Sequence, residues 1–481
     1  DPDVIRVEDT YYMVSTTMHF MPGCEILQSF DLVHWEHVTY VYETLDHTDA
    51  QQLKSGHNIY GQGMWAASLR YHEGRFYICF VANDTRKTYL YTSEKIDGPW
   101  KKQLIEGFYH DGSLLFDEDG RNYIVYGNDE IWITELNEDL TAPKKDGLHR
   151  LLVSDHKNPE LGYEGSHIQK INGYYYIFLV HSLRDRWMRT EACFYSDSLE
   201  GEFTGGDVLC DDRGYCGQGV AQGGIVDTPD GKWYAMLFQD SGAVGRIPIL
   251  LPVTWKDHFP FFGQNGHVPE EIEVHSTRPG YIYQPLVGSD DFCNGLLPRW
   301  QFNHDPDPRY YHLDALQGTY TITTREVCTE LTQAVNTLTQ RMSYPSCAAE
   351  VTVDASALKE GDVAGLCALQ SCYAAVGITK HHGKYEVLML DKKEDGILDM
   401  TEGTVVESHQ MDFRLEADFC NMKDEARCYY RVNKGDWLPI GTVHKLYFKL
   451  DHFTGCRFGL FCYAAEETGG SACFRDFKYY D

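Results

Sequence analysis

The sequence holds no apolar run approaching the ~18 residues that cross a bilayer, and no charged opening segment followed by an apolar stretch that would direct export. No membrane partner is expected. Positive charge is scarce: 42 Lys and Arg stand against 72 Asp and Glu, a formal net charge of −30. Such a chain repels phosphate backbones, so nucleic acid is excluded as a partner and a neutral or cationic ligand is favoured. Cysteine is not scarce, at 15, but there is no C-x-x-C pair and no Cys/His spacing for zinc. The thiols sit inside apolar runs such as Phe76-Tyr77-Ile78-Cys79-Phe80. Free buried thiols follow, which favours a reducing, cytoplasmic compartment. A sustained helical period is also missing. Gly217-Gln218-Gly219-Val220-Ala221-Gln222-Gly223 imitates a dinucleotide loop, yet it precedes a strand and no βαβ pattern surrounds it.

Aromatic residues and glycine are plentiful, with 33 Tyr, 23 Phe, 9 Trp and 43 Gly in 481 residues. This composition favours short strands, tight turns and ring-lined surfaces, and is common among carbohydrate binders. A turn followed by an aromatic strand recurs five times: Glu8-Asp9-Thr10-Tyr11-Tyr12, Glu73-Gly74-Arg75-Phe76-Tyr77, Asp119-Gly120-Arg121-Asn122-Tyr123, Asn172-Gly173-Tyr174-Tyr175-Tyr176 and Asp230-Gly231-Lys232-Trp233-Tyr234. Asn-Gly and Asp-Gly between apolar runs are strong hairpin signals. Nine places before each turn residue stand Asp1, Trp65, Asp111, Glu164 and Gln222, each opening a strand, at spacings of 46 to 64 residues. That period predicts four-stranded propeller blades. A second repeat, seen in Ser29 to Trp35, Ser93 to Trp100 and Ser196 to Phe203, marks the outer turn of a blade.

The expected fold is therefore all-β: a five-bladed β-propeller over residues 1–283, then a C-terminal β-sandwich over 284–481. The second part alternates apolar and polar residues in short runs such as Lys384-Tyr385-Glu386-Val387-Leu388. Innermost blade strands run along the central channel, so the five opening residues converge at one end of the axis. Three of them are carboxylic acids: Asp1, Asp111 and Glu164. Crowding and desolvation push the pKa values of such groups apart, which is what acid/base attack on a glycosidic bond needs.

The runs Asp1-Pro2-Asp3-Val4-Ile5-Arg6-Val7, Asp111-Gly112-Ser113-Leu114 with Asp117-Glu118-Asp119-Gly120, and Glu164-Gly165-Ser166-His167 with Asn172-Gly173-Tyr174-Tyr175 together resemble glycoside hydrolase family 43. The resemblance implies an inverting, exo-acting glycosidase on arabinose- or xylose-containing oligosaccharides. Asp1 would be the base that activates water, Glu164 the general acid, and Asp111 the group that raises and orients that acid. Inversion calls for a base-to-acid separation of roughly 6.5 to 9.5 Å. Arg246 matches the arginine that holds a sugar hydroxyl, and Trp65 a sugar-facing ring for which core packing is the rival reading. His19 and Phe20 would wall the pocket. Phe453, on a sandwich loop, would reach over to close it. No cofactor is required. Gln222 stands where relatives carry a histidine associated with a central calcium ion, so no metal ligand is assigned and a structural calcium stays open; as an amide it is expected to hydrogen-bond the sugar. Asp1 is expected to be preceded by further residues in the natural chain, because a free α-ammonium would depress its carboxylate.

The rival function is a non-catalytic carbohydrate-binding propeller. Lectin propellers repeat their binding residue in every blade, whereas this axial set is unequal, which favours an enzyme. A retaining fructosidase would need Asn-Asp-Pro-Asn-Gly and Arg-Asp-Pro motifs that the sequence lacks.

Overall fold

The computed structural model describes residues 1–481, and it contains no α-helix, only five short 3-10 turns among its strands. No helix is long and apolar enough to cross a membrane. Five antiparallel four-stranded sheets come first. Blade I is built from Asp3–Val7, Thr10–Val14, Gly23–Ser29 and Glu36–Tyr42, and blade II from Met64–His72, Arg75–Ala82, Lys87–Ser93 and Lys101–Ile105. Blade III follows as Ser113–Phe116, Asn122–Asn128, Glu130–Leu136 and His149–Ser154; blade IV as Glu164–Ile171, Tyr174–Ser182, Arg189–Ser196 and Thr204–Leu209; blade V as Ala221–Asp227, Trp233–Asp240, Arg246–Lys256 and Phe259–Phe262.

The recurring turns join first to second strands. Glu73-Gly74 and Asn172-Gly173 are two-residue turns with both φ values positive, the conformation that matches the twist of flanking strands. In blades III and V the strands stop short, at Phe116↔Asn122 and Asp227↔Trp233, leaving five-residue loops. The Ser-containing repeat links third to fourth strands in blades I, II and IV.

After Phe262 the chain straps back across blade I. Thr277 N–H donates to Phe30 O (2.7 Å), and Gln284 N–H to a Glu36 carboxylate oxygen (2.9 Å). Two large sheets then form the sandwich, and its main apolar core lies between them. The two parts share secondary structure. A two-residue strand of the first blade's loop, Phe20–Met21, pairs with Gln301–Asn303 and so becomes the edge of the nine-stranded sandwich sheet. Ala243 of the propeller is packed within the sandwich core. All 15 cysteines are free, ten of them buried.

Candidate active site

Inner strands reach the axis through a repeated backbone distortion. In blades II, IV and V the register shifts between Trp65 and Ser68, Glu164 and His167, and Ala221 and Gly224. Within or beside these bulges Ala66, Gly165 and Gln222 take φ values of 38°, 67° and 62°, and Asp111 opens blade III at 47°. Bulges re-aim side chains at the rims of closed sheets. Here they turn one residue per blade inward. Gln222 is held in that conformation by its N–H, which donates to the fully buried Glu191 (2.7 Å); burial keeps the Glu191 carboxyl well above its ordinary range.

Asp1, Asp111 and Gln222 meet around a cavity of about 10 Å³, room for one water, completed by Ser68, Ser166 and His167. Asp1 is buried, accepts a hydrogen bond from Thr16 Oγ1 (2.5 Å) and pairs with Arg246. Arg246 also reaches Asp240 (3.3 Å) and lies between two rings, 4.4 Å from Phe238 and 4.1 Å from Phe453. Phe453 meets Trp65 edge-on at 5.2 Å. Trp65, Arg246 and Phe453 thus form one wall beside Asp1, with Trp65 half-exposed.

Glu164 Oε2 accepts a hydrogen bond from Asn128 Nδ2 (2.7 Å) and lies 3.5 Å from His110 Nε2. His110 Nε2 is also 3.7 Å from Asp111 Oδ2, and the same Asp111 oxygen accepts from Gly165 N–H (3.0 Å). Asp111's charge and the bond to Glu164 outweigh burial and lift His110 to about 9. Burial raises the Asp111 carboxyl and the charge of Glu164 adds to it, against His110. Burial also pushes Glu164 up, but His110, Arg189 and Arg246 outweigh it and hold that carboxyl below its usual range. His110, which touches both acids, was not among the sequence candidates although it adjoins Asp111. Arg189, paired with Asp240 in the same wall, was missed as well; as the first residue of a third strand it lay outside the one-per-blade axial pattern.

His19 and Phe20 do not wall this pocket. Both are fully buried between propeller and sandwich. His19 packs on Tyr60, His304 and His452, with ring centroids 4.8, 4.7 and 5.3 Å away, and Phe20 lies under the Arg457 guanidinium at 3.7 Å. Strand pairing of Phe20–Met21 with the sandwich draws this loop away from the axis.

Ca²⁺ takes six to eight oxygens, and the small axial cavity that Gln222 lines is bordered also by Asp1, Asp111, Ser68 and Ser166. The inner strands of blades I and II carry a further charged pair, Arg70 with Asp3 (2.7 Å). His110, Asp111 and Glu164 have ligand atoms within 4.8 Å of one another, but these atoms are already engaged with each other, with Asn128 and with Gly165 N–H. A cleft of about 770 Å³ between blades I and V and the sandwich is lined by Asp1, Arg246 and Phe453; its other walls, including Met13, Leu27, Trp35 and Leu250, are mainly apolar.

Unequal carboxylates at a propeller axis, roofed by an aromatic from a sandwich, define a glycoside hydrolase. Residues 1–260 match the model of glycosyl hydrolases family 43, and residues 289–480 that of the beta xylosidase C-terminal concanavalin A-like domain. The chain belongs to family 43. It is 42% identical to a bifunctional GH43-CE protein of Bacteroides eggerthii (TM-score 0.92), covering all of this chain and 62% of that one. A beta-xylosidase of Formosa agariphila is 26% identical over 98% of this chain and 86% of its own length. A non-reducing end alpha-L-arabinofuranosidase of Bacteroides ovatus is 23% identical over 83% and 78%.

Proposed function

We propose that this glycoside hydrolase is exo-acting and inverting, and that it releases terminal arabinofuranose or xylose from hemicellulose oligosaccharides or side chains. The observation that carries the reading is the unequal surroundings of two inner-strand acids, Asp1 and Glu164. Asp1 is fixed by Arg246 and Thr16, groups that favour its ionised form, as a base requires. Glu164 has a different neighbourhood, with Asn128 and the His110 imidazole at its Oε2, and is the carboxyl that the family resemblance assigns as the acid. In this assignment water attacks the anomeric carbon and gives a proton to Asp1 while Glu164 protonates the departing oxygen. Asp111 orients Glu164 through the backbone it shares with Gly165. Trp65, Arg246 and Phe453 hold the terminal sugar, and the closed floor of the axial cavity favours a chain end over a through-running chain. The names of the relatives support both sugars.

The test is hydrolysis of paired aryl α-L-arabinofuranoside and β-D-xylopyranoside by wild type, Asp1→Asn and Glu164→Gln, with the first-formed anomer read by NMR. Both variants should lose about 10²-fold or more on a poor leaving group, the product should be inverted, and EDTA should change nothing. Retained configuration, or full activity in Asp1→Asn, overturns the assignment.

A further inference from the structure

Of the nine tryptophans only Trp187 is exposed, at 43%. It stands in the loop between the second and third strands of blade IV, Tyr174–Ser182 and Arg189–Ser196. Glu164 opens the first strand of the same blade and pairs with Val180, while Ser182 pairs with Arg189, so this loop lies at the end of the blade where Glu164 stands. The loop is pinned. Leu183 N–H donates to Met188 O (3.1 Å), Met188 N–H donates to Ser182 Oγ (2.8 Å), and Arg184 pairs with Asp155 of the connection that enters blade IV.

The Arg189 guanidinium lies over the indole, 5.0 Å from its centroid. That guanidinium is buried and paired with Asp240, which also holds Arg246, the partner of Asp1. Its charge acts on Glu164 as well. A single buried cation therefore backs the indole and joins it to the surroundings of both acids. Aromatic planes take up the C–H face of a sugar, and a plane already fixed by its own neighbours loses little freedom in doing so. Trp187 is such a plane, with nearly half its surface left to solvent. The oxygen that Glu164 protonates carries the next sugar of the chain, which has to continue outward past Glu164; Asn128, which holds Glu164 Oε2, is itself exposed.

We propose that Trp187 is the platform for the leaving sugar, and that it gives the enzyme its preference for an oligosaccharide over a simple glycoside of the same terminal sugar. The inference rests on the assignment of Glu164 as the acid. Trp65, Arg246 and Phe453 hold the sugar that is released, and Trp187 holds the one that departs with the glycosidic oxygen. A ring that only shielded the Arg189–Asp240 pair from water would act through Arg246 and Asp1, and would affect every substrate alike.

The experiment compares two substrates with the same terminal sugar: xylobiose with methyl β-D-xylopyranoside, and an arabinofuranosyl xylobiose with methyl α-L-arabinofuranoside. Both members of a pair lose an alkoxide, but only one carries a ring that can stack. Trp187→Ala should lose about tenfold in kcat/KM on the oligosaccharide, mostly through KM, and less than about twofold on the methyl glycoside. Trp187→Phe should recover most of the loss. Trp187→Leu, which covers Arg189 without offering a plane, should recover little. Equal losses on both members of a pair, no loss on either, or full recovery in Trp187→Leu overturn the proposal. Glu164→Gln separates the two levels: if it keeps the wild-type rate, the acid assignment falls whatever Trp187 does; if it loses activity while Trp187→Ala treats the paired substrates alike, only the platform falls.

Discussion

Phe453, from the sandwich, covers the guanidinium of Arg246 in blade V at 4.1 Å, so the arginine beside Asp1 is finished by a ring from the other part of the chain. The roof is held by a backbone hydrogen bond, Cys456 N–H to Ala243 O (2.8 Å), and by a side-chain contact, Thr454 Oγ1 to Met18 Sδ (3.4 Å). A cation–π contact of this kind contributes ~0.5–2 kcal/mol and keeps water off the ion pair. Phe453→Ala should lower kcat/KM on either aryl glycoside by about tenfold, or ~1.4 kcal/mol, mostly through KM. Steady-state kinetics against Phe453→Leu, which keeps the bulk and loses the π face, checks it. Equal rates in wild type and the alanine variant would remove Phe453 from the pocket.

A second expectation concerns acid. His19, His304 and His452 are fully buried in contact, and neither ring nitrogen of His19 or His452 has a hydrogen-bond partner in the protein. The charged and polar groups around them are Arg457, Tyr60, Asn303, the Ile59 N–H on His304 (3.0 Å) and Asp451 beside His452 (3.7 Å). Burial and the neighbouring imidazole push His304 down to about 3, and burial pushes His19 well below its ordinary range. In the unfolded chain these rings take up a proton near pH 6.5. Below that pH the unfolded form binds more protons at His19 and His304, so stability falls as pH drops from 6.5 toward 3, at up to ~1.4 kcal/mol per unit for each of these two rings. Tm measured between about pH 4 and 8 should show this slope, and His19→Leu should flatten it without lowering Tm at neutral pH. An unchanged slope sinks the idea.

Much of this was legible in the sequence because the blades are local objects. Asn172-Gly173 and Glu73-Gly74 announce their hairpins through backbone chemistry alone, and counting back from them lands on residues that bulges turn to the axis. What stayed hidden is non-local. His19 and Phe20 read as pocket loop until one knows that Phe20–Met21 joins a sandwich strand some 280 residues away. His110 escaped because a count of one residue per blade stops at Asp111, and nothing in the periodicity says that its neighbour faces Glu164. Arg70 escaped for a similar reason: a charged residue near the end of an inner strand reads as solvated until the channel is seen to enclose it.

That arginine leads to the third expectation. All five N–H groups of Arg70 are used: Nε donates to Leu114 O (2.8 Å), Nη1 to Asp3 (2.7 Å) and Leu69 O (2.6 Å), Nη2 to Ser113 Oγ (2.6 Å) and Ile168 O (3.3 Å). Blades I to IV are thereby tied to one cation. Burial pushes the Asp3 carboxyl up, but Arg70 and His167 outweigh it and hold it at about 2. Removing the guanidinium strands a buried carboxylate, which costs about 3–5 kcal/mol. Arg70→Met should lose that much in denaturant unfolding. Arg70→Lys should recover little of it, since an ammonium has three donors and no planar fork. A loss below ~1 kcal/mol, the range of surface pairs, would mean that the axis is not held this way.

The last expectation tests how the roof is seated. Gly455 and Gly245 meet backbone to backbone, at φ values of 102° and 97°. A Cβ on Gly455 would lie 2.1 Å from Val244 O, and one on Gly245 would lie 2.7 Å from Gly455 N. Neither contact can yield by moving a flexible side chain, because both partners are main chain. Gly455→Ala should therefore lift the loop that carries Phe453 off Arg246. It should raise KM by about tenfold, as Phe453→Ala does, and also cost ~1–3 kcal/mol of stability through overpacking and an unfavourable φ. Gly74→Ala is the control: its φ of 77° is also left-handed, but nothing lies within 4 Å of the added Cβ. That variant should lose ~1 kcal/mol from backbone strain alone and leave KM unchanged. If Gly455→Ala behaves like Gly74→Ala in the kinetics, the roof is not held by this contact.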